Sequence, residues 1–341
     1  GAVFAGTLAV YARTCYRSAA GGDSAEFVVA GTIFPHAIAH PPGYPLLTLL
    51  LAATVRLAPG PEEVAFAANL LSAIFGAAAA AIVEAVCAEL IALLDWGSGR
   101  LVPWRHLCAC FAAVLFASHP VVWLYSLQAE VFALNNFLLA VLLLLFLRSC
   151  RAECETTFRR CTRTGGLVLG LALTNQHTAV LFAAPLVCGV LALGHWHCSF
   201  WRGRNLVTLA MCTVAGLGPY AYLPIAQRNP NLFTWPAEVD SVGGFLGLLL
   251  RRDYGTLQLQ GTRRWEHRVL AEGNDGRAEE VVVNATEATL VTAQRIKANV
   301  EHFASAVTAR DSSPVHSWAL LIGASLGGLA SLRALWGTAP R

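Results

Sequence analysis

Apolar residues in this chain gather in long blocks, at 1–16, 45–58, 64–94, 107–126, 130–148, 166–194, 206–226 and 315–336. A helix needs about 20 apolar residues to cross a bilayer, whereas 10–14 suits an interfacial or re-entrant piece. The pattern predicts an all-α polytopic membrane protein. Block 45–58 is too short to cross and is bracketed by Pro41, Pro42 and Pro45 on one side and Pro59 and Pro61 on the other. Block 166–194 is long, but Thr174-Asn175-Gln176-His177 interrupts it, which predicts two short helices meeting near one face. The long polar stretch 227–314 reads as short amphipathic helices or loop. No internal repeat is visible, so an inverted-repeat transporter gains no support.

Composition sharpens this. Of 341 residues, 56% are hydrophobic and only 13% charged, against about 25% charged in soluble domains. That excludes an ordinary cytosolic enzyme and a disordered tail. The net charge of +3 is small, and without a long basic stretch to follow a phosphate backbone no nucleic-acid partner is expected. The ten cysteines do not form a disulfide framework. Cys87, Cys108, Cys110, Cys188 and Cys212 sit in apolar runs, where thiols act as small hydrophobes, and Cys150, Cys154 and Cys161 lie in a basic loop as free thiols. The chain starts at Gly1, so it is expected to be a fragment whose first transmembrane helix is truncated; a signal peptide ending near Ser18-Ala19-Ala20 is the other reading.

Charge sets orientation. Arg148, Arg151, Arg159, Arg160 and Arg163 fill 148–165, Arg202 and Arg204 lie in 195–205, and Arg100 and Arg105 in 95–106. Excess Lys and Arg marks the cytosolic side. The tip Gln128-Ala129-Glu130 between blocks 107–126 and 130–148 then falls on the opposite face, together with loop 17–63. The stretch 227–314 lies outside as well, where the sequon Asn284-Ala285-Thr286 fits. The predicted organisation is a transmembrane module over 1–226, a polar segment over 227–314 and a final helix over 315–336.

The candidate chemistry collects on that non-cytosolic face. Loop 17–63 contains Gly21-Gly22-Asp23-Ser24-Ala25-Glu26 and then His40-Pro41-Pro42-Gly43-Tyr44-Pro45. Glycines let the backbone bend tightly before Asp23, and prolines return the chain along a fixed path. A loop held in one shape suits catalytic positioning. The plainer reading of Asp23-x-x-Glu26 is a capping box opening a short helix. Glu130 starts an apolar helix, either as a charge at the positive helix end or as a second carboxylate facing the same cleft. Asn175, Gln176 and His177 face a cavity or a partner helix. Arg251 and Arg252 either face headgroups or hold a phosphate, which the Arg fork suits. His195-Trp196-His197-Cys198 has metal-ligand types but stands alone in a cytosolic loop.

These motifs, with Gly218-Pro219-Tyr220 and Asp253-Tyr254-Gly255-Thr256 after them, occur in the order in which they resemble the transmembrane protein 260 family, the protein O-mannosyltransferases of the endoplasmic reticulum. The resemblance covers roughly residues 1–260. Family members carry further helices and a C-terminal repeat region. The resemblance implies a GT-C-type glycosyltransferase with an acidic first lumenal loop carrying short helices. It implies dolichyl-phosphate mannose as donor and Ser or Thr on IPT domains of plexin and hepatocyte-growth-factor-type receptors as acceptor. Asp23 is then the expected general base, with Glu26 orienting the acceptor or tuning Asp23, and the anomeric carbon inverts. His40, Tyr44, Glu130, Asn175, Gln176, His177 and Arg251 are the expected donor- and substrate-binding residues. No metal and no cofactor beyond the lipid-linked sugar is demanded. The competing readings are a transporter or lipid-linked-sugar flippase, with Asp23, Glu130 and His177 in a pathway, and an inactive membrane scaffold.

Overall fold

The computed structural model describes residues 1–94, 104–196, 203–230, 234–235, 239–252, 268–272 and 278–282. Helix α1 (Ala2–Thr14) leads into the first loop, which carries two short helices, α2 (Ser24–Thr32) and α3 (Pro45–Val55). The long α4 (Val64–Leu94) follows, then α5 (Arg105–Ser118), α6 (Pro120–Ser126), α7 (Val131–Cys150), α8 (Glu155–Asn175), α9 (Ala179–Trp196) and α10 (Gly203–Gly216). The short α11 (Tyr222–Gln227) and α12 (Val242–Leu249) complete the helical part.

Among the described residues, Pro61–Leu94 and Val131–Cys150 are each long and apolar enough to cross a membrane. Two bent pairs, α5 with α6 at 68° and Asn205–Gly216 with Gly218–Gln227 at 48°, bring the number to four if each pair is one span. The chain is an all-α membrane protein. Blocks 107–126 and 206–226 are thus broken rather than straight. Pro120 has no N–H to continue α5, His119 before it is extended (φ −62, ψ 126), and the proline starts α6 instead. At 13 residues α1 falls short of a span, and the apolar part of α9, Ala179–Gly194, is also below spanning length.

Block 166–194 divides at Gln176-His177-Thr178, between α8 and α9. However, α8 begins at Glu155, well before the apolar block, so Arg159, Arg160 and Arg163 lie on a helix and not in a loop. Glu155 pairs with Arg159 one turn on, a spacing that supports helix outside an apolar environment. Helices α8 and α10 cross with their backbones almost touching: a Cβ on Gly170 would collide with the Thr213 carbonyl, and one on Gly216 with that of Leu167. Small residues permit such approach between membrane helices.

Side-chain contacts orient the bundle. Asn175 at the end of α8 meets Val131 at the start of α7, while Glu89 near the end of α4 pairs with Arg148, at 3.5 Å, and with Arg151 at the end of α7. The starts of α4 and α7 and the end of α8 therefore share one end of the molecule, with the basic residues at the other. The first loop is strapped to the former. The Trp235 N–H donates to the Ile38 carbonyl at 2.8 Å, the Thr234 hydroxyl to that of His36 at 2.5 Å, and the Tyr222 hydroxyl to that of Ala37. Ile38, Tyr222, Leu223, Val239 and Leu248 bury one another beneath the strap.

The stretch expected as amphipathic helix or loop contains α12 and also an antiparallel hairpin, β1 (Arg268–Glu272) with β2 (Ala278–Val282), in which Leu270 stands opposite Glu280. The described cysteines are all free. The final helix at 315–336, the sequon at Asn284, the run Asp253-Tyr254-Gly255-Thr256 and His197-Cys198 lie outside the described residues.

Candidate active site

Two turns shape the first loop. Gly22 (φ 72) and Gly43 (φ 91) take the left-handed conformation that glycine adopts without strain, and Tyr44 (φ 41) shares it. Gly22 is also a point of close approach, where a Cβ would lie 2.8 Å from Oε1 of Glu130. Asp23 follows at the start of α2.

The capping box does not form. Asp23 occupies the cap position of α2 without a side-chain capping bond, and Glu26 turns to His40. Oε1 of Glu26 accepts the His40 backbone N–H at 2.6 Å, and Oε2 accepts Nδ1–H at 2.8 Å. The other ring nitrogen, Nε2, stands 3.7 Å from Oδ2 of Asp23. His40 thus bridges the two carboxylates. Its ring is walled by Tyr44, centroid to centroid 4.9 Å, and by Phe27 at 6.0 Å. Burial works against charge on both members of the pair, but the mutual hydrogen bond and opposite charges outweigh it. Glu26 is held below its ordinary pKa and His40 above its own.

Glu130 arrives from the far side. It occupies the cap position of α7, extended at φ −138 and ψ 160, and makes no capping bond. Its Oε1 instead accepts the Asp23 backbone N–H at 2.9 Å, across 107 residues of sequence. Glu130 is only 4% exposed. Burial, reinforced by the charge of Asp23, pushes its carboxyl up to about 7. The Asp23 side chain is 58% exposed, against 36% for Glu26, so of these carboxylates it is the most open to a reacting group.

The remaining predicted residues divide. Asn175 is turned inward at 1% exposure, and its Nδ2 donates to the Val131 carbonyl at 3.0 Å; it supports the start of α7 directly behind Glu130. Gln176 points its Oε1 to a buried place without a protein partner. Nε2 of His177 lies 2.6 Å from the Tyr220 hydroxyl, which donates to the Leu173 carbonyl at 3.0 Å. With its own proton used there, the hydroxyl accepts from His177. Burial, and then the charge of Arg251, hold His177 at about 4, so it is neutral. Arg251, itself left-handed at φ 52, follows α12, and its field reaches His40, Tyr44 and His177 alike. Burial raises Tyr44 to about 12, keeping its phenol protonated. One end of the molecule therefore gathers carboxylates, a phenol, a neutral imidazole and a guanidinium.

The family description "Protein O-mannosyl-transferase TMEM260 N-terminal domain" matches residues 23–198. The chain belongs to the TMEM260 family. The matched segment opens on Asp23 and contains Glu26, His40, Tyr44, Glu130 and Asn175 to His177, whereas Arg251 lies beyond it. Protein O-mannosyl-transferase TMEM260 of Mus musculus is 35% identical over 261 residues, which is 76% of this chain and 34% of that protein. The Dictyostelium discoideum protein O-mannosyl-transferase tmem260 is 30% identical over 270 residues, 76% of this chain and 31% of that protein. The chain thus spans about a third of the length of these curated TMEM260 relatives. No solved structure matches.

Two residues of this candidate site carry no signal in the sequence. Tyr220 ends the run Gly218-Pro219-Tyr220, but its partnership with His177 across 43 positions leaves no local signal. Asn69 lies inside the apolar block 64–94, where its only mark is being polar, yet it ties both carboxylate loops together. Asp23, Glu26 and His40 also offer ligand atoms within 4.8 Å of one another, a spacing that could hold a metal ion. Nδ1 of His40 is already bonded to Glu26 there.

Proposed function

We propose that this chain carries the transfer site of a protein O-mannosyltransferase. The donor is dolichyl-phosphate mannose and the acceptor a Ser or Thr hydroxyl on IPT-type lumenal domains of receptors, in the endoplasmic reticulum. The observation that carries this reading is the meeting of Asp23 with Glu130 and the Glu26–His40 pair at one end of the helices. A transporter would bury such groups on broken helices at mid-membrane, whereas these stand in a loop and at helix starts.

In this reading Asp23 takes the acceptor hydroxyl proton as the oxygen bonds to the anomeric carbon of mannose. The bond from that carbon to the phosphate oxygen breaks, and its electron pair leaves with dolichyl phosphate, inverting the centre. Phosphate is a weak base, so no general acid is needed. Glu26 is engaged twice by His40 and is the less available base; the pair holds the loop on which Asp23 sits. Arg251 and Tyr44 are the donors offered to a phosphate, and preorganised donors of this kind stabilise charge developing on a leaving group; His177, with its N–H given to Tyr220, is an acceptor at the same end. Glu130 and Gln176 are left to bind sugar hydroxyls, with Asn175 behind them.

The test is mannose transfer from dolichyl-phosphate mannose to a folded IPT domain in microsomes lacking the endogenous enzyme, using the full-length protein. Asp23→Asn at equal expression is expected to lose about 10²–10⁴-fold in rate, the usual worth of a general base. Transfer at the wild-type rate by that variant removes Asp23 from the role, and absence of transfer by the wild type overturns the donor or the acceptor.

A further inference from the structure

The two carboxylates that meet at the site are delivered by loops far apart in sequence, and one buried side chain holds both. Asn69 lies in the second turn of α4 and is fully buried. Its Nδ2 donates to the Tyr16 and Ser18 carbonyls, both at 3.0 Å, on the approach to Gly22 and Asp23. Its Oδ1 accepts the Ala129 backbone N–H at 2.8 Å, immediately before Glu130. A second, backbone bond runs alongside, from the Tyr16 N–H to the Leu127 carbonyl at 3.4 Å. An amide in an apolar helix is costly unless its donors and acceptor are satisfied. Here all three bonds go to backbone of the two loops and none to α4 or to another side chain.

We propose that Asn69 is a positioning residue of the transfer site, setting the separation of Asp23 and Glu130 by clamping the loop before each. The inference rests on reading those carboxylates as the transfer site. No other residue type replaces it. Aspartate has the size of asparagine and keeps an acceptor toward Ala129, but it turns an oxygen toward the two carbonyls that the amide nitrogen served. Alanine removes all three bonds. Either change frees the first loop to move relative to Glu130, and a displacement near 1 Å at a reacting group is worth about a hundredfold in rate.

The experiment uses the full-length protein in microsomes, with dolichyl-phosphate mannose as the probe. Asn69→Ala is expected to lower kcat ten- to a hundredfold while the KM for the donor stays within about threefold. The limb of the kcat–pH profile that belongs to Glu130 moves to lower pH, because its carboxyl is raised by burial and then by the charge of Asp23, and parting the two loops weakens the second cause. Hydrogen exchange of peptides covering 16–24 and 127–131 rises in the same variant. Ser72→Ala removes another buried polar group from α4 and is expected to leave rate and pH profile unchanged. A wild-type kcat and pH profile in Asn69→Ala, beside an inactive Asp23→Asn, overturns this inference alone. An active Asp23→Asn instead overturns the reading of the site. If Asn69→Ala does not accumulate, Asn69→Asp carries the test with the same expectations for kcat, KM and hydrogen exchange; failure of both to accumulate makes Asn69 a folding residue and counts against the proposal.

Discussion

Glu130 combines burial with a neighbouring carboxylate, and its protonation is linked to stability. Its folded pKa is raised from 4.5 to about 7. Below about pH 4.5 the carboxyl is neutral in folded and unfolded chain alike, and burying it carries no charge penalty. As pH rises towards 7 the unfolded chain ionises freely while the folded protein resists, so stability is lost across that interval. Glu130→Gln still accepts the Asp23 N–H and removes the charge. It is expected to match wild type below pH 4.5 and to exceed it above pH 7, by up to about 3 kcal/mol from the size of the shift. Thermal unfolding in detergent at pH 4.5 and pH 8 checks this; equal midpoints for the two proteins at pH 8 would contradict it. Glu26 and His40 show how much of such chemistry a sequence displays. Both stood out as ionisable groups in an apolar chain, but the three-residue spacing from Asp23 to Glu26 suggested helix capping. Only the folded loop shows His40 taking both oxygens of Glu26. The lowered Glu26 and raised His40 widen, at both ends, the pH interval over which that pair is charged. Its contribution fades as pH falls through the lowered Glu26 value or rises through the raised His40 value.

Helix boundaries were legible where apolar residues stop at a proline or a polar cluster, and less so where a helix leaves the apolar layer. Pro45 opens α3 and the break at Gln176 ends α8, as block lengths implied. The start of α8 was hidden because hydropathy registers burial in lipid and not helicity, and Glu155 and Arg159 stabilise a turn that hydropathy scores as loop. The bend at Pro120 was hidden for a different reason: long apolar runs flank the short Ser118-His119-Pro120 interruption, so block 107–126 looked continuous. The crossing of α8 with α10 depends on glycine at 170 and 216, and any side chain there must push two backbones apart. Gly170→Val is expected to destabilise the bundle by about 1–3 kcal/mol, the range for overpacking, or to prevent accumulation. Glycine-to-alanine change at Gly165, where an added Cβ meets nothing within 4 Å, is the matched control. Equal thermal midpoints for Gly170→Val and wild type would refute the close crossing.

Across the molecule, the strap from α11 to Trp235 decides whether the first loop has one shape. Tyr222, Thr234 and Trp235 bond three successive backbone carbonyls, those of Ala37, His36 and Ile38, and the apolar cluster beneath excludes water. Tyr222→Phe removes one of these bonds while keeping the ring, at a cost of about 1 kcal/mol. It is expected to make residues 33–40 cleave faster under limited proteolysis while the helices stay resistant. Unchanged cleavage would show that the apolar contacts alone hold the loop. The membrane class, the helical blocks, the weak spanning potential of 45–58 and the gathering of Asp23, His40 and Glu130 on one face followed from composition, block length and the placement of arginines. These are properties of single residues and short segments, set by transfer into lipid and by charge. Which carboxylate meets which, that His40 belongs to Glu26, that Asn69 joins two loops and that Tyr220 holds His177 are contacts between residues 14 to 107 positions apart. Such contacts exist only once the helices have packed, because backbone hydrogen bonds and side-chain reach depend on distances that a linear pattern does not contain.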